Sequence, residues 1–519
     1  MKKRIVIVGG GHNGLVCAAM LALESRGTAA VRVVESRAIG GAVRTERPFA
    51  RAPNLGASTG AYLLGLMPPE LIEKLGVTIP TMRRDPHYFL PTLDGRHLLF
   101  GSNEDETRAQ MIRFFSRRDY EAHAAMQAEL AMLRDDLAPT WLDEPLSIED
   151  TAERFVRKEL RARFVDLCRE PISRYLARFD FASDLLKAMY ATTDAFSGLC
   201  GSWDTPGTGM NFLVHNMCRL HGSGGTWMIV KGGMGTVARE LEARCRALGV
   251  EIDVGDAVVS VRIERGTARG VVRASGKTID ADVVVCNADP FAMRALVGRE
   301  NFGAEYNERL DAYEKKPGTT LKVNLALSAL PKFSCLPSAF ERPGFAPTIH
   351  LLPDDGDVIA RLREGFDAAM RGELYDFPTI EWYVHTTLDP SLRDAGGLHN
   401  SALFVQWVPS EIRESSWEKE EAAYVKKLLA ICDRFAPGTS ELVVDVFALH
   451  PKKIESHFGI THGHIHHVDN GWGFSDRLPY ATPIERLYSC SAGTHPAGSV
   501  IGAAGHNAAM RVLRDFRRN

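Results

Sequence analysis

The sequence predicts an α/β protein, a Rossmann-like domain interleaved with a second domain of α+β type. Three observations carry this prediction. Arg4–Val8 (Arg-Ile-Val-Ile-Val) ends in four β-branched residues and runs straight into a glycine turn and an apolar helical stretch, Leu15–Leu23. A second β-rich run, Val31–Val34, ends on an acid, Glu35. Near the other end, the motif Leu487–Pro496 and the glycines after it read again as a strand, a glycine turn and a helix entry. Wholly apolar strands followed by turn and helix mark parallel strands buried on both faces.

The first turn reads Gly9-Gly10-Gly11-His12-Asn13-Gly14, a G-x-G-x-x-G, and Glu35 follows it by about twenty residues. With the flanking strand and helix, this is the dinucleotide-binding fingerprint. Gly9 allows the tight turn, Gly11 lets backbone N–H groups approach a pyrophosphate, and Gly14 lets helix and strand pack closely. The helix N-terminus offers positive potential to phosphates. Glu35 accepts hydrogen bonds from an adenosine ribose and repels a 2′-phosphate, which disfavours NADP.

At 519 residues the chain has room for two or three domains, and its 45% hydrophobic and 24% charged content is that of an ordinary globular protein. A net charge of −3 gives no case for nucleic acid. No apolar run approaches the ~18 residues of a membrane span. The basic start Met1–Arg4 is followed by too short an apolar run for a secretory signal, which needs about 7–15 residues. The nine cysteines are scattered, odd in number and never in a C-x-x-C pair, as expected of reduced thiols. A cytoplasmic location is expected.

After Glu35 the chain reads Ser36-Arg37-Ala38-Ile39-Gly40-Gly41-Ala42-Val43-Arg44. Paired glycines with nearby arginines let main chain and guanidinium lie against a phosphate or a flavin. The acid, Arg37, Gly40-Gly41 and Arg44 resemble the flavoprotein group of amine oxidases, phytoene desaturases and carotenoid isomerases, with a GR2-type FAD-binding domain. The resemblance implies FAD rather than NAD as cofactor. Further on, Thr193-Asp194-Ala195, Thr205-Pro206-Gly207, Leu213-Val214-His215, Trp227 and Gly232-Gly233-Met234-Gly235 follow in order. This order resembles the phytoene-desaturase-like branch that includes pyridine nucleotide-disulphide oxidoreductase domain-containing protein 2. Neither the paired cysteines nor the second nucleotide fingerprint that such a name suggests is present.

Residues 103–190 read as helical, with Ala, Met, Glu and Leu at three- and four-residue spacing. The helices are amphipathic, and a peripheral membrane contact through an apolar face stays open. Thr192–Gly235 reads as a loop-rich, pocket-forming segment in which His215 is either a hydrogen-bonded structural histidine or a catalytic one. Gly232–Leu248 forms a turn and helix, followed by a strand (Val250–Val254), a three-strand meander (Ala257–Glu264, Gly270–Ala274, Thr278–Ile279) and a buried strand (Asp282–Cys286). The resemblance implies that this block belongs to the flavin domain and brings Val258 or Val259 to the adenine.

Pro317–Pro409 is strand-rich (Thr319–Leu327, Thr348–Leu352, Thr379–Thr387, Ala402–Val408) and predicts a second, antiparallel sheet walling a substrate cavity. Glu381, Trp382, Tyr383, His385, Gln406 and Trp407 lie on two of its strands, and alternation sends about half of them inward. Glu441–Leu449 is a further strand. His462, His464 and His466 are spaced by two and would share one face of a strand. No acidic cluster accompanies them and flavin chemistry needs no metal, so none is expected. In the resembling family this segment lies beside the flavin, with glycine and asparagine where His462 and His464 stand here.

The closing motif, Leu487–Pro496 followed by Gly498, Gly502-Ala503 and Gly505-His506-Asn507, resembles the C-terminal flavin signature of the same branch. There the turn meets the ribityl and pyrophosphate, and the next helix N-terminus faces the flavin pyrimidine, favouring negative charge on the ring. Ala497 stands where a glycine is usual, and the linker Arg477–Pro483 is short.

The sequence therefore implies an FAD-dependent oxidoreductase with a flavin domain from 1–95, 225–300 and 440–519. Residues 96–224 and 301–439 form the substrate domain. The cofactor contacts implied are Gly9, Gly11, His12, Asn13, Gly14, Glu35, Ser36, Arg37, Gly40, Gly41, Arg44, Val258, Gly493, Thr494, Gly502, Ala503 and Asn507. His215 and His495 are the candidate catalytic groups. The expected chemistry is desaturation, saturation or double-bond isomerisation of a largely apolar small molecule, with oxygen or a quinone as electron acceptor. Amine or amino-acid oxidation, a non-catalytic flavin-binding assembly role and a homodimer stay open.

Overall fold

In the computed structural model, which describes residues 2–518, the first apolar run forms strand β1 (Lys3–Val8), followed by helix α1 (His12–Glu24) and strand β2 (Ala29–Glu35). The two strands pair in parallel. The same sheet takes in Glu251–Val254 beside β2, Val283–Cys286 on the far side of β1, and Leu487–Ser489 beyond that. Three distant stretches of chain thus build one parallel sheet. Its central strands are apolar and buried over Ile5–Val8 and Val283–Cys286 because both faces are covered there, whereas the edge strand Glu251–Val254 is partly exposed. Ile5 and Ile7 share a core with α1 and with Ala508, Ala509 and Val512 of the C-terminal helix Ala503–Arg518. Val6 and Val8 point the other way, into a core with Val261 and Val271. Those two come from the separate antiparallel meander Val258–Glu264, Thr267–Arg273 and Thr278–Asp280.

Two glycines set how closely these layers approach. A Cβ on Gly14 would stand 2.2 Å from Gly9 O, and one on Gly505 would stand 2.1 Å from Asn13 O. The first contact closes helix α1 onto the turn, and the second closes the C-terminal helix onto α1.

The second sheet has seven strands in the order Val443–Leu449, Thr320–Leu327, His399–Gln406, Thr379–Tyr383, Thr348–Leu351, Tyr88–Pro91 and His97–Phe100. All neighbours are antiparallel except Thr348–Leu351 with Tyr88–Pro91. The domain boundaries expected at 95 and 440 therefore need correction. Tyr88–Pro91 and Val443–Leu449 both belong to the second sheet, placed there by long-range backbone pairing that no local pattern announces. Helices Glu104–Phe114 and Arg117–Leu137 open the helical part, as its periodicity predicts. Two helices, Thr208–His215 and Val358–Met370, lie in stretches read as loop-rich and strand-rich. Among the described residues no helix is long and apolar enough to cross a membrane.

Candidate functional site

The glycine turn lies at the carboxyl ends of β1 and β2, where open parallel sheets bind ligands. Glu35 is nearly buried there: its Oε2 accepts from Gly10 N–H at 2.7 Å and its Oε1 from Arg37 N–H at 2.8 Å and from the Ser36 hydroxyl at 3.1 Å. Gly40, at φ +113°, donates its N–H to Gly10 O at 2.9 Å, which lays the paired glycines Gly40 and Gly41 along the first turn. Arg37 and Arg44 both donate to His457 O, and Arg44 also pairs with Glu46 at 3.4 Å. Val258 begins the meander, half-buried against the core that holds Val8 and Val34.

At the closing turn, Gly493 packs against Pro290, and the Thr494 hydroxyl donates to Ser491 O at 2.9 Å. Gly502 takes the left-handed conformation (φ +77°) that leads into the helix opening at Ala503. One side chain ties the turn down. Arg477, 1% exposed, donates to Thr494 O, Ala492 O, Val468 O, Asp469 O, Trp472 O and Asn470 Oδ1 at 2.7–3.3 Å. Two expected site residues are placed elsewhere. Asn507 spends its Nδ2 on Trp141 O, Asp143 O and the Tyr480 hydroxyl, so it fastens the C-terminal helix to the 138–143 segment rather than reaching a ligand. His495 Nε2 lies 3.1 Å from Thr140 O with its ring against Phe474, outside the cavity wall. Packing of the same 138–143 segment has claimed both.

A cavity of about 670 Å³ runs from His12, Ala42 and Val43 at the glycine turns to Tyr62, Tyr383 and Phe404 on the second sheet. Exposed Glu104, Gln127 and Gly224 mark its rim. Ala492, Ser499 and Val500 bring the C-terminal turn to its wall. Ser499 (φ +92°) and Val500 (φ +57°) are non-glycine residues held left-handed, a costly backbone that clusters at functional sites. Alternation is obeyed on strand Thr379–Tyr383: Glu381 and Tyr383 face the cavity, and Trp382 faces the opposite core. Gln406 accepts from Gly198 N–H, and Trp407 packs on Phe196.

The cavity's titratable groups are pushed toward neutrality by burial. The Glu381 carboxyl, hydrogen-bonded by Tyr383, is raised to about 8, and Asp194 to about 7. Lys322, alone in the buried apolar strand Thr320–Leu327, donates from Nζ to Ser58 O and Gly60 O at 2.5 and 2.6 Å, 4.3 Å from the Tyr62 ring centre. Those carbonyls and the ring face favour its ammonium. Burial opposes it more strongly and moves the group well below the usual lysine range. His215 does face the cavity. Its Nδ1 stands 2.7 Å from Asp194 O and its Nε2 3.4 Å from Ser499 Oγ, and burial lowers it to about 4. The three spaced histidines do not share a strand face. Thr461–Gly463 is a short helical turn with His462 at φ +58°. His462 meets Glu314, His464 faces Asp469, and His466 meets Ser197 O.

The family model described as flavin containing amine oxidoreductase matches residues 14–326. The chain belongs to this family. Across 99% of its length it is 31% identical to rat pyridine nucleotide-disulfide oxidoreductase domain-containing protein 2, 93% of which is covered. The all-trans-zeta-carotene desaturase of Myxococcus xanthus is 26% identical over 53% of this chain and 50% of its own. The crystal structure of an oxidoreductase from Methanosarcina mazei covers 98% of this chain and 100% of its own, with a TM-score of 0.65 at 17% identity.

FAD is the cofactor of this flavoprotein, and the residues present fit it. Gly9 is left-handed (φ +100°), as the turn requires. Asn13 Oδ1 at the turn, and His466 Nδ1 and His467 Nδ1 in the cavity wall, are buried polar atoms without partners among the described residues. Gly9, Gly11, His12, Asn13 and Gly14 would hold the pyrophosphate, and Glu35 the ribose. Ala492, Ser499 and Val500 would meet the ring end. Because Gly14 has no room for a methyl group, Gly14→Ala is expected to weaken FAD retention by at least about tenfold. The check is flavin absorbance per protein after gel filtration. Sequence reasoning missed Arg477 and Lys322. The one available signal was a lone lysine inside the largely apolar run Thr319–Leu327.

Proposed function

We propose that this flavoprotein makes, removes or shifts a carbon–carbon double bond in a largely apolar small molecule. The observation that carries this reading is the cavity, which is large, walled by Tyr62, Tyr88, Tyr383 and Phe404, and lined by acids that burial holds toward their neutral forms. FAD, when bound, supplies hydride-transfer chemistry. The chain's own share is to exclude water, orient the substrate and manage the accompanying proton. His215 is suited to the last task. Its Nδ1 hydrogen is fixed on Asp194 O, which leaves Nε2 as the acceptor, and Ser499 Oγ, 3.4 Å from that nitrogen, lines the same cavity.

Amine oxidation is the second reading, favoured by the Tyr62–Tyr383 pair at 4.5 Å beside Glu381, an arrangement that receives cations elsewhere. An ammonium would lie near the Arg84 guanidinium in the same wall, which weighs against it. Anaerobic titration of the FAD-loaded protein with polyenes, unsaturated acyl compounds and amines decides between the two. Bleaching of flavin absorbance, or isomer change in the recovered compound, is expected with the first two classes. Bleaching by amines alone would reverse the assignment, and no response to any class would leave a flavin-binding role without catalysis.

A further inference from the structure

Among the described residues three arginine and lysine side chains are almost fully buried: Arg84 at 3%, Lys322 at 5% and Arg477 at 1% exposure. None has a carboxylate within 4 Å among the described residues, although most surface arginines here do. Arg477 is saturated by six oxygen acceptors, and Lys322 places two hydrogens on carbonyls. Arg84 is different. Its Nε donates to Trp227 O at 2.9 Å and its Nη1 to Thr348 Oγ1 at 2.8 Å, and it meets no other acceptor among the described residues. A guanidinium carries five N–H donors, so Arg84 keeps donors in reserve, and it lines the cavity.

A buried cation with spare donors and no counter-ion is costly unless something arrives to pair with it. Glu381 lines the same wall, but the two side chains do not touch. Burial keeps its carboxyl protonated over much of the neutral range, so it neither neutralises Arg84 nor repels an incoming anion. Tyr62 and Tyr383 flank the place with rings 4.5 Å apart. The remaining wall is aromatic and aliphatic, including Tyr88, Leu63 and Phe404.

From this geometry we infer that the substrate carries a carboxylate, received by the spare donors of Arg84, with its unsaturated hydrocarbon body in the aromatic part of the cavity. The class is a long unsaturated carboxylic acid. This rests on the apolar-substrate reading above and narrows it. Charge-assisted, forked contacts of a guanidinium with a carboxylate supply both affinity and orientation. Orientation is what a reaction at one carbon–carbon bond among several requires.

The test uses the FAD-loaded protein and the fluorescent polyene cis-parinaric acid, whose emission rises on entering an apolar site. Oleic acid, oleyl alcohol and oleylamine then compete for the site; they share one hydrocarbon chain and differ in head group. Oleate is expected to displace the probe at roughly ten- to hundredfold lower concentration than the alcohol, and the amine to be weakest. Arg84→Gln is expected to weaken the probe, itself a carboxylic acid, and, in inhibition constants corrected for probe affinity, to bring oleate to the level of the alcohol without moving the alcohol itself. Arg84→Lys is expected to keep part of the difference. Equal competition by acid and alcohol in the wild-type protein overturns the carboxylate assignment while leaving an apolar substrate standing, and this comparison needs no variant to fold. A difference that survives Arg84→Gln also overturns it. If neither the probe nor any competitor binds, the apolar-substrate reading fails with it.

Discussion

Replacing Arg477 with leucine is expected to strip the protein of FAD and to lower its unfolding free energy by about 4 kcal/mol or more. The guanidinium holds two pieces of chain together, the loop 468–472 and the turn 492–494, through six oxygen atoms. Leucine fills most of the volume and satisfies none of them. Each buried carbonyl left without a donor costs roughly 1–3 kcal/mol, less whatever a water can recover. The turn in question carries Gly493 and Thr494 and continues to Ser499 and Val500 in the cavity wall, so stability and flavin retention fall together. Arg477→Lys is expected to rescue only partly, because three donors on a flexible stem cannot reach six acceptors arranged around a planar fork. Urea unfolding followed by far-ultraviolet circular dichroism, with flavin absorbance measured on the same samples, reads both effects. A wild-type midpoint in the leucine variant would show that the network is not structural.

The second large effect is loss of stability in mild acid. His350, His385 and His87 are lowered to about 3, and His215, His467 and His495 to about 4, all chiefly by burial. His466 moves in the same direction, with His464 adding to the effect of burial. Below about pH 6.5 the unfolded chain takes up protons on these histidines that the folded chain refuses, so stability falls as pH falls. The loss continues until the folded groups themselves titrate. One unit below the ordinary histidine value, each such group costs roughly 1.4 kcal/mol. Several together approach the whole stability of a typical domain, about 5–15 kcal/mol. Glu381 and Asp194 act with the opposite sign, since acids raised by burial make the folded state less stable as pH climbs toward 8. Two carboxyls cannot offset this many histidines below pH 6.5. Thermal midpoints should therefore peak near pH 6.5–7, fall steeply toward pH 5 and decline gently toward pH 8. A flat profile from pH 7 to 5 would mean that these histidines are hydrated or already protonated in the folded protein.

Much of the molecule was legible in the chain because the information was local. The run Ile5–Val8, the glycines of the first turn and Glu35 are close in sequence, and each has one mechanical reason to be where it is. The period-two alternation on Thr379–Tyr383 likewise implied two faces, and the structure decided that Glu381 and Tyr383 are the ones turned to the cavity. The seven-stranded order was not legible, because pairing Tyr88–Pro91 with Thr348–Leu351 joins strands more than two hundred residues apart. Asn507 and His495 carried the right residue types for a ligand contact. Their partners, Trp141, Asp143 and Thr140, lie more than three hundred and fifty residues away.

The sequence by itself determined the nucleotide-binding βαβ unit, since its glycines and apolar period dictate backbone conformation, and it implied the family and the cofactor through the resemblance of its short motifs to known flavoproteins. Tertiary structure alone decided which polar groups share a cavity and in what charge state. Lys322, Arg84, Glu381 and His215 come from four separate segments. Their protonation is set by burial and by the carbonyls around them, which exist only once the two sheets have closed on each other.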